Sequence, residues 1–140
     1  MAAGVTTLLG MGELRTAAAQ ALAPATDTDP YVFEDLVDNC EPPALVLDQG
    51  DPWLTPGQQQ VQTFGPCLYT ARLRVYCLAG RTEPGPGIDA IEVLQAYVLE
   101  RLRADPYTWS LETVGGRGQI DMSGITYFGS VITYLVPTTT

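Results

Sequence analysis

The residues whose types suit chemistry in this chain are three cysteines, several neighbouring carboxylates and two glycine clusters. Cys40, Cys67 and Cys77 are odd in number and contain no C-x-x-C pair. That spacing matches neither a disulfide framework nor a zinc site. Cys77 lies in an alternating apolar run, where a free cysteine behaves as a small buried hydrophobe. Glu34/Asp35 and Asp48/Asp51 are carboxylate pairs of the kind that perform acid–base work. No nucleophile with a base partner accompanies them, and the chain has no histidine to shuttle protons or hold a metal. The acids do not follow the D-x-[DN]-x-[DN]-G pattern of a calcium loop. Gly116 and Gly118 form a G-x-G between strand-like segments, so they read as a bend and not as a phosphate loop. Gly10-Met11-Gly12 follows no strand and fails the same test. The expectation is a protein without catalysis, cofactor or metal.

What remains is surface chemistry. Asp27 to Asp51 carries eight acids and no base: Asp27, Asp29, Glu34, Asp35, Asp38, Glu41, Asp48 and Asp51. Such a run reads first as a solvated face, and its functional alternative is a surface that repels an anion. Residues 48–66 read as an extended loop, with Gly50, Pro52, Pro56, Gly57 and Pro66 around Trp53, Leu54 and Phe64. Large apolar side chains in so long a loop suit an interface with a neighbouring subunit or partner. Arg72 and Arg74 alternate with Leu73 and Val75, which turns both guanidinium groups away from the core. They become candidate partners for acids on an adjacent subunit.

Two helices and a few strands must position these residues. Val5–Ala23 reads as a helix weakened by Gly10 and Gly12 and stopped by Pro24. Val32, Phe33, Leu36 and Val37 suggest one short helical turn, and Ala44–Leu47 a buried strand. Cys67–Ala79 is the clearest strand, with Tyr69, Ala71, Leu73, Val75 and Cys77 on one face. Ile88–Ala104 is the second helix, its apolar stripe running through Ile88, Ile91, Leu94 (or Gln95), Val98 and Leu102. Asp89 and Glu92 begin it and Arg101 and Arg103 end it, as the helix dipole favours. Trp109–Val114 reads as a strand, and Gln119–Met122 and Ile125–Val136 as a hairpin around Ser123-Gly124. Pro137 closes that strand and leaves residues 137–140 as a polar tail.

Composition sets the outer limits. The 140 residues suit one domain, 46% hydrophobic and only 16% charged, so a packed core is expected despite a net charge of −9. All seven basic residues are arginine. The acidic balance opposes gripping nucleic acid, which needs cations against phosphate, and opposes an anionic membrane surface as well. No run approaches the ~20 apolar residues of a bilayer span. No basic residue precedes Arg15, so a secretory n-region is missing. A soluble, non-secreted protein folding in a reducing cytoplasm is the expectation.

In their order, several segments resemble the tail terminator proteins of long-tailed bacteriophages, closest to those of actinobacterial phages. They are Pro42–Leu47, Asp51–Gly57, Phe64-Gly65, Leu73–Gly80, the Ile88–Arg103 helix, Val114–Gly116, Ser123-Gly124 and Tyr127–Gly129. The resemblance runs over roughly Leu8 to Val136 and lies in order and spacing, since each motif is short and structural. It implies an α+β fold: a mostly antiparallel sheet of about four strands, packed on one side by two helices, in the order α-β-β-α-β-β. It also implies a hexameric ring at the tail–neck junction of the virion, assembled in the host bacterial cytoplasm. Such a ring caps the tail tube, ends its polymerisation and joins the head-closure protein, while DNA passes through without specific binding. Subunit or tube contacts are expected of Trp53, Leu54, Phe64, Arg72 and Arg74. Channel-lining candidates are Asp27, Asp29, Glu34, Asp35, Asp38, Asp48 and Asp51, because an acidic wall keeps DNA from sticking. The rival readings are another neck protein, of the head-closure or adaptor kind, and more remotely a small acidic metal-dependent enzyme.

Overall fold

A strand in the interior of a sheet needs hydrogen-bonding neighbours for its backbone along both edges, and Leu68–Gly80 has them. The computed structural model describes residues 9–35, 40–56, 68–80, 87–105 and 109–139. In chain order the elements are β1 (Leu9–Gly10), a 3-10 turn (Met11–Glu13), α1 (Leu14–Leu22), β2 (Tyr31–Phe33), β3 (Ala44–Pro56) and β4 (Leu68–Gly80). Then follow α2 (Ile88–Ala104), β5 (Ser110–Val114), β6 (Gly118–Met122) and β7 (Ile125–Thr139).

β7 is the spine. Along one edge it pairs antiparallel with nearly all of β4, from Leu68↔Thr139 to Gly80↔Phe128. Three short strands tile its other edge in turn: β6 against Ile125–Gly129, β5 against Ile132–Leu135, and β1 against Thr138-Thr139. β4 in turn carries β3 antiparallel on its far side, and β2 lies parallel to the start of β3. The hairpin turn joining β6 to β7 is Ser123-Gly124, both with left-handed φ (53° and 82°), the geometry that matches strand twist.

Both helices pack against one face of this sheet. α1 contributes Leu14, Ala18 and Leu22 at successive four-residue steps, and α2 contributes Leu94, Val98 and Leu102. They meet Leu45, Leu47, Ala71, Leu73, Val75, Cys77, Ile132, Tyr134 and Val136, all nearly or wholly buried. Each large side chain so covered contributes about 1.5–3 kcal/mol. Ala44 and Val46 alternate with Leu45 and Leu47, so they face the other way into a second, smaller core. There Leu78 and Cys40 meet Ile120, Met122 and Tyr127 of the β6–β7 hairpin. A side chain at Gly129 would overlap the Cys77 carbonyl oxygen, so glycine is what lets β7 cross β4 so closely here.

The expected sheet is corrected on three counts. Seven strands are described instead of about four, two pairings are parallel, and the order is β-α-β-β-β-α-β-β-β in place of α-β-β-α-β-β. The strands missed at the start, β1 and β2, are two and three residues long, too short for period-2 alternation to register. The first helix starts at Leu14, since Leu9-Gly10 joins the sheet; residues 5–8 lie outside the described residues. Likewise Tyr31–Phe33 is a strand and not a helical turn, with Leu36 and Val37 outside the described residues.

Two presumed irregular segments are strand as well. Asp48–Pro56 continues β3 and pairs with β4 through Pro56↔Tyr69. Pro52 sits in the register shift between Gln49 and Leu54, where its missing N–H breaks no regular ladder. Pro137–Thr139 continues β7, and Thr138 is fully buried with its hydroxyl donating to the Leu9 carbonyl at 2.6 Å.

Candidate functional site

The two faces of β4 divide as their alternation predicts. Leu73, Val75 and Cys77 are buried under the helices, and Arg72 and Arg74 stand on the opposite face. Arg72 is already engaged within the chain. Its Nε donates to Glu112 Oε1 and its Nη2 to Oε2, both at 2.8 Å. This paired geometry is the strong form of the arginine–carboxylate contact. It lifts the Arg72 guanidinium above its ordinary value and holds the Glu112 carboxyl below its own, in each case chiefly through the hydrogen bond. Gly50 on β3 makes the room, since a side chain there would overlap Arg72 Cγ. Arg74 lies opposite Asp48 and Thr133 in the ladders and forms no ion pair among the described residues.

Trp53 and Leu54 are not displayed on a loop. Both are half-buried and pack against the main core of their own chain. Phe64 lies outside the described residues.

The acids proposed for a channel fall into three separate groups. Asp27 and Asp29 sit after α1, Glu34 and Asp35 beside it, and Asp48 and Asp51 on β3; Asp38 lies outside the described residues. Glu34 accepts the Thr16 hydroxyl at 2.6 Å, and Asp35 faces Arg15 at 3.4 Å in an exposed pair of little energetic weight. Asp48 accepts the backbone N–H of Gln49, and Asp51 is exposed. Asp29 is the most integrated. It accepts the backbone N–H groups of Ala25 and Thr26 and faces Arg101 at 3.4 Å. The Ala25 N–H is the main cause holding its carboxyl below the ordinary value. Among the described residues no three histidine, cysteine or acidic side chains gather as metal ligands would.

Around Asp29 the structure builds a site that sequence reasoning missed. Tyr97 and Arg101 are one helical turn apart on α2, with the guanidinium carbon 4.6 Å from the ring centre. The Tyr97 hydroxyl donates to the Leu22 carbonyl at 2.7 Å, and Arg101 Nη1 to the Ala23 carbonyl at 3.3 Å. Together they satisfy two carbonyls at the C-terminal end of α1, those of Leu22 and Ala23. Burial is the main cause raising the Tyr97 hydroxyl above its ordinary value.

Beside this corner opens an apolar groove of about 550 Å³, lined by Pro30, Pro43, Ala79, Val93 and Tyr97 among others. Val93 is 68% exposed and Ile88 52%, so Ile88 leaves the buried stripe to which its spacing assigned it. One signal was present in the sequence: Val93 is a large apolar residue next to Glu92, off the core stripe of α2. The local sequence held no comparable signal for Glu112, whose partner lies on a strand two places away in the sheet.

The chain matches no protein-family model, and no curated protein matches it either.

Proposed function

We propose that the protein is a structural component of a long-tailed phage virion, a tail terminator. Its subunits would form a ring that caps the tube and offers its other face to the neck. The observation that carries this reading is the ordered set of resembling segments, Pro42–Leu47, Leu73–Gly80, Ile88–Arg103 and Tyr127–Gly129 among them. Those segments build β3, β4, α2 and β7, the frame of the sheet and its main helix. The character of the described surface also suits assembly. Large apolar side chains stand exposed at Tyr31, Ile88, Val93, Leu111 and Val114, as contact surfaces require.

The test is assembly in the tube of the same phage. Purified tail tube protein polymerises with and without this chain, and tube lengths are measured by electron microscopy. Short tubes with a ring on one end are the expected outcome. Unchanged lengths and bare ends would dismiss the terminator role. A ring bound to the head connector alone would instead favour a head-closure or adaptor protein.

A further inference from the structure

Tyr31 and Val93 belong to one end of the molecule: Tyr31 lies on the edge strand β2, and Val93 lines the groove together with Pro30. Leu111 and Val114, 50% and 40% exposed, lie on β5, beyond β7 at the opposite side of the sheet. The two apolar surfaces differ in charge. Exposed Asp89, one helical turn before Val93, flanks the groove, and the nearby Arg101 is held by Asp29 and the end of α1. Following β5, exposed Arg117 forms no ion pair among the described residues.

We infer that one copy of this chain seats the β5 edge, through Leu111, Val114 and Arg117, against the Val93 groove of a second copy. The inference rests on the ring-forming reading above and names the contact that would build the ring. Chains of net charge −9 repel one another, so a contact that sets a cation against an acid is favoured over one that does not. A contact of each patch with its own kind would set acid against acid or Arg117 against Arg117. Contact between the two patches sets Arg117 against Asp89 while covering apolar surface from both sides. Such a contact is head-to-tail, which closes into a ring when the rotation per subunit divides a full turn.

The experiment measures mass in solution for the full chain and for Val93→Asp and Leu111→Asp. Both positions are exposed, so unchanged circular dichroism and melting temperature are expected and confirm folding. Each variant alone is expected to fall to a monomer. An equimolar mixture is expected to form a one-to-one dimer, because an intact groove on one variant meets an intact edge on the other. Arg117→Glu should weaken association at least ~10-fold, and adding Asp89→Arg should restore part of it. Assembly of both aspartate variants at wild-type strength overturns the inference and leaves the ring reading standing. So does loss of tube capping with self-association intact, which would assign the groove to the tube. A wild-type chain that stays monomeric, alone and on tube ends, removes the ring reading and this contact with it.

Discussion

Arg72 on β4 and Glu112 on β5 join across the strand between them, with two 2.8 Å contacts spanning β7. The pair ties the outermost short strand to the centre of the sheet, with 24% and 29% of the two side chains exposed. It also leaves Arg72 already committed inside its own subunit.

The pair sets an acid dependence. Glu112 has its carboxyl held below the ordinary 4.5 by Arg72, so the stabilisation is present above that value and is lost as pH falls through the lowered one. Denaturation curves for wild type and Glu112→Gln should differ at neutral pH and converge in strong acid. Equal stability at neutral pH would show that the pair contributes nothing.

Gly50 is the floor under Arg72. Gly50→Ala should destabilise the protein by about 1–3 kcal/mol, the usual range for forcing atoms into filled space. The cost should shrink in an Arg72→Ala background, because the overlapped Cγ is then gone. Thermal melts of the four proteins in the cycle decide it, and an undiminished cost would place the obstruction elsewhere.

Tyr97→Phe removes the hydroxyl that donates to the Leu22 carbonyl at the end of α1. A loss of about 1 kcal/mol is expected, the worth of one partly buried hydrogen bond. Hydrogen exchange should show faster opening in the last turn of α1, with the sheet unaffected.

Alkali should weaken the core. Burial pushes the Cys77 thiol from 9.0 to about 12 and the Tyr134 hydroxyl from 10.0 to about 12. Groups raised in this way contribute stability that is full below their ordinary values and declines as pH climbs toward 12. The midpoint of chemical unfolding should therefore stay level to about pH 9 and then fall. Cys77→Ala should flatten the first part of that decline. In a Cys67→Ala background, where Cys40 and Cys77 remain and both are buried, a thiol reagent should label the chain only as it unfolds.

Local pattern made much of the frame legible. Ile88–Ala104 is a helix over the span its period and terminal charges define, and β4 alternates as Leu73, Val75 and Cys77 require. Ser123-Gly124 is the expected hairpin turn. These features are decided within a few residues of chain, by period, turn geometry and dipole, so composition and spacing reveal them. Other features depend on what a segment meets. Leu9-Gly10 and Tyr31–Phe33 become strands only because β7 and β3 offer them edges. Trp53 and Leu54 turn inward because β3 runs on past Pro52 to pair with β4, which converts an apparent display loop into a packed edge. The partner of Arg72, the corner at Tyr97 and the groove beside Val93 all join residues distant in the chain. Their geometry exists only once the sheet has brought those elements together, because contacts across elements leave no period in the sequence.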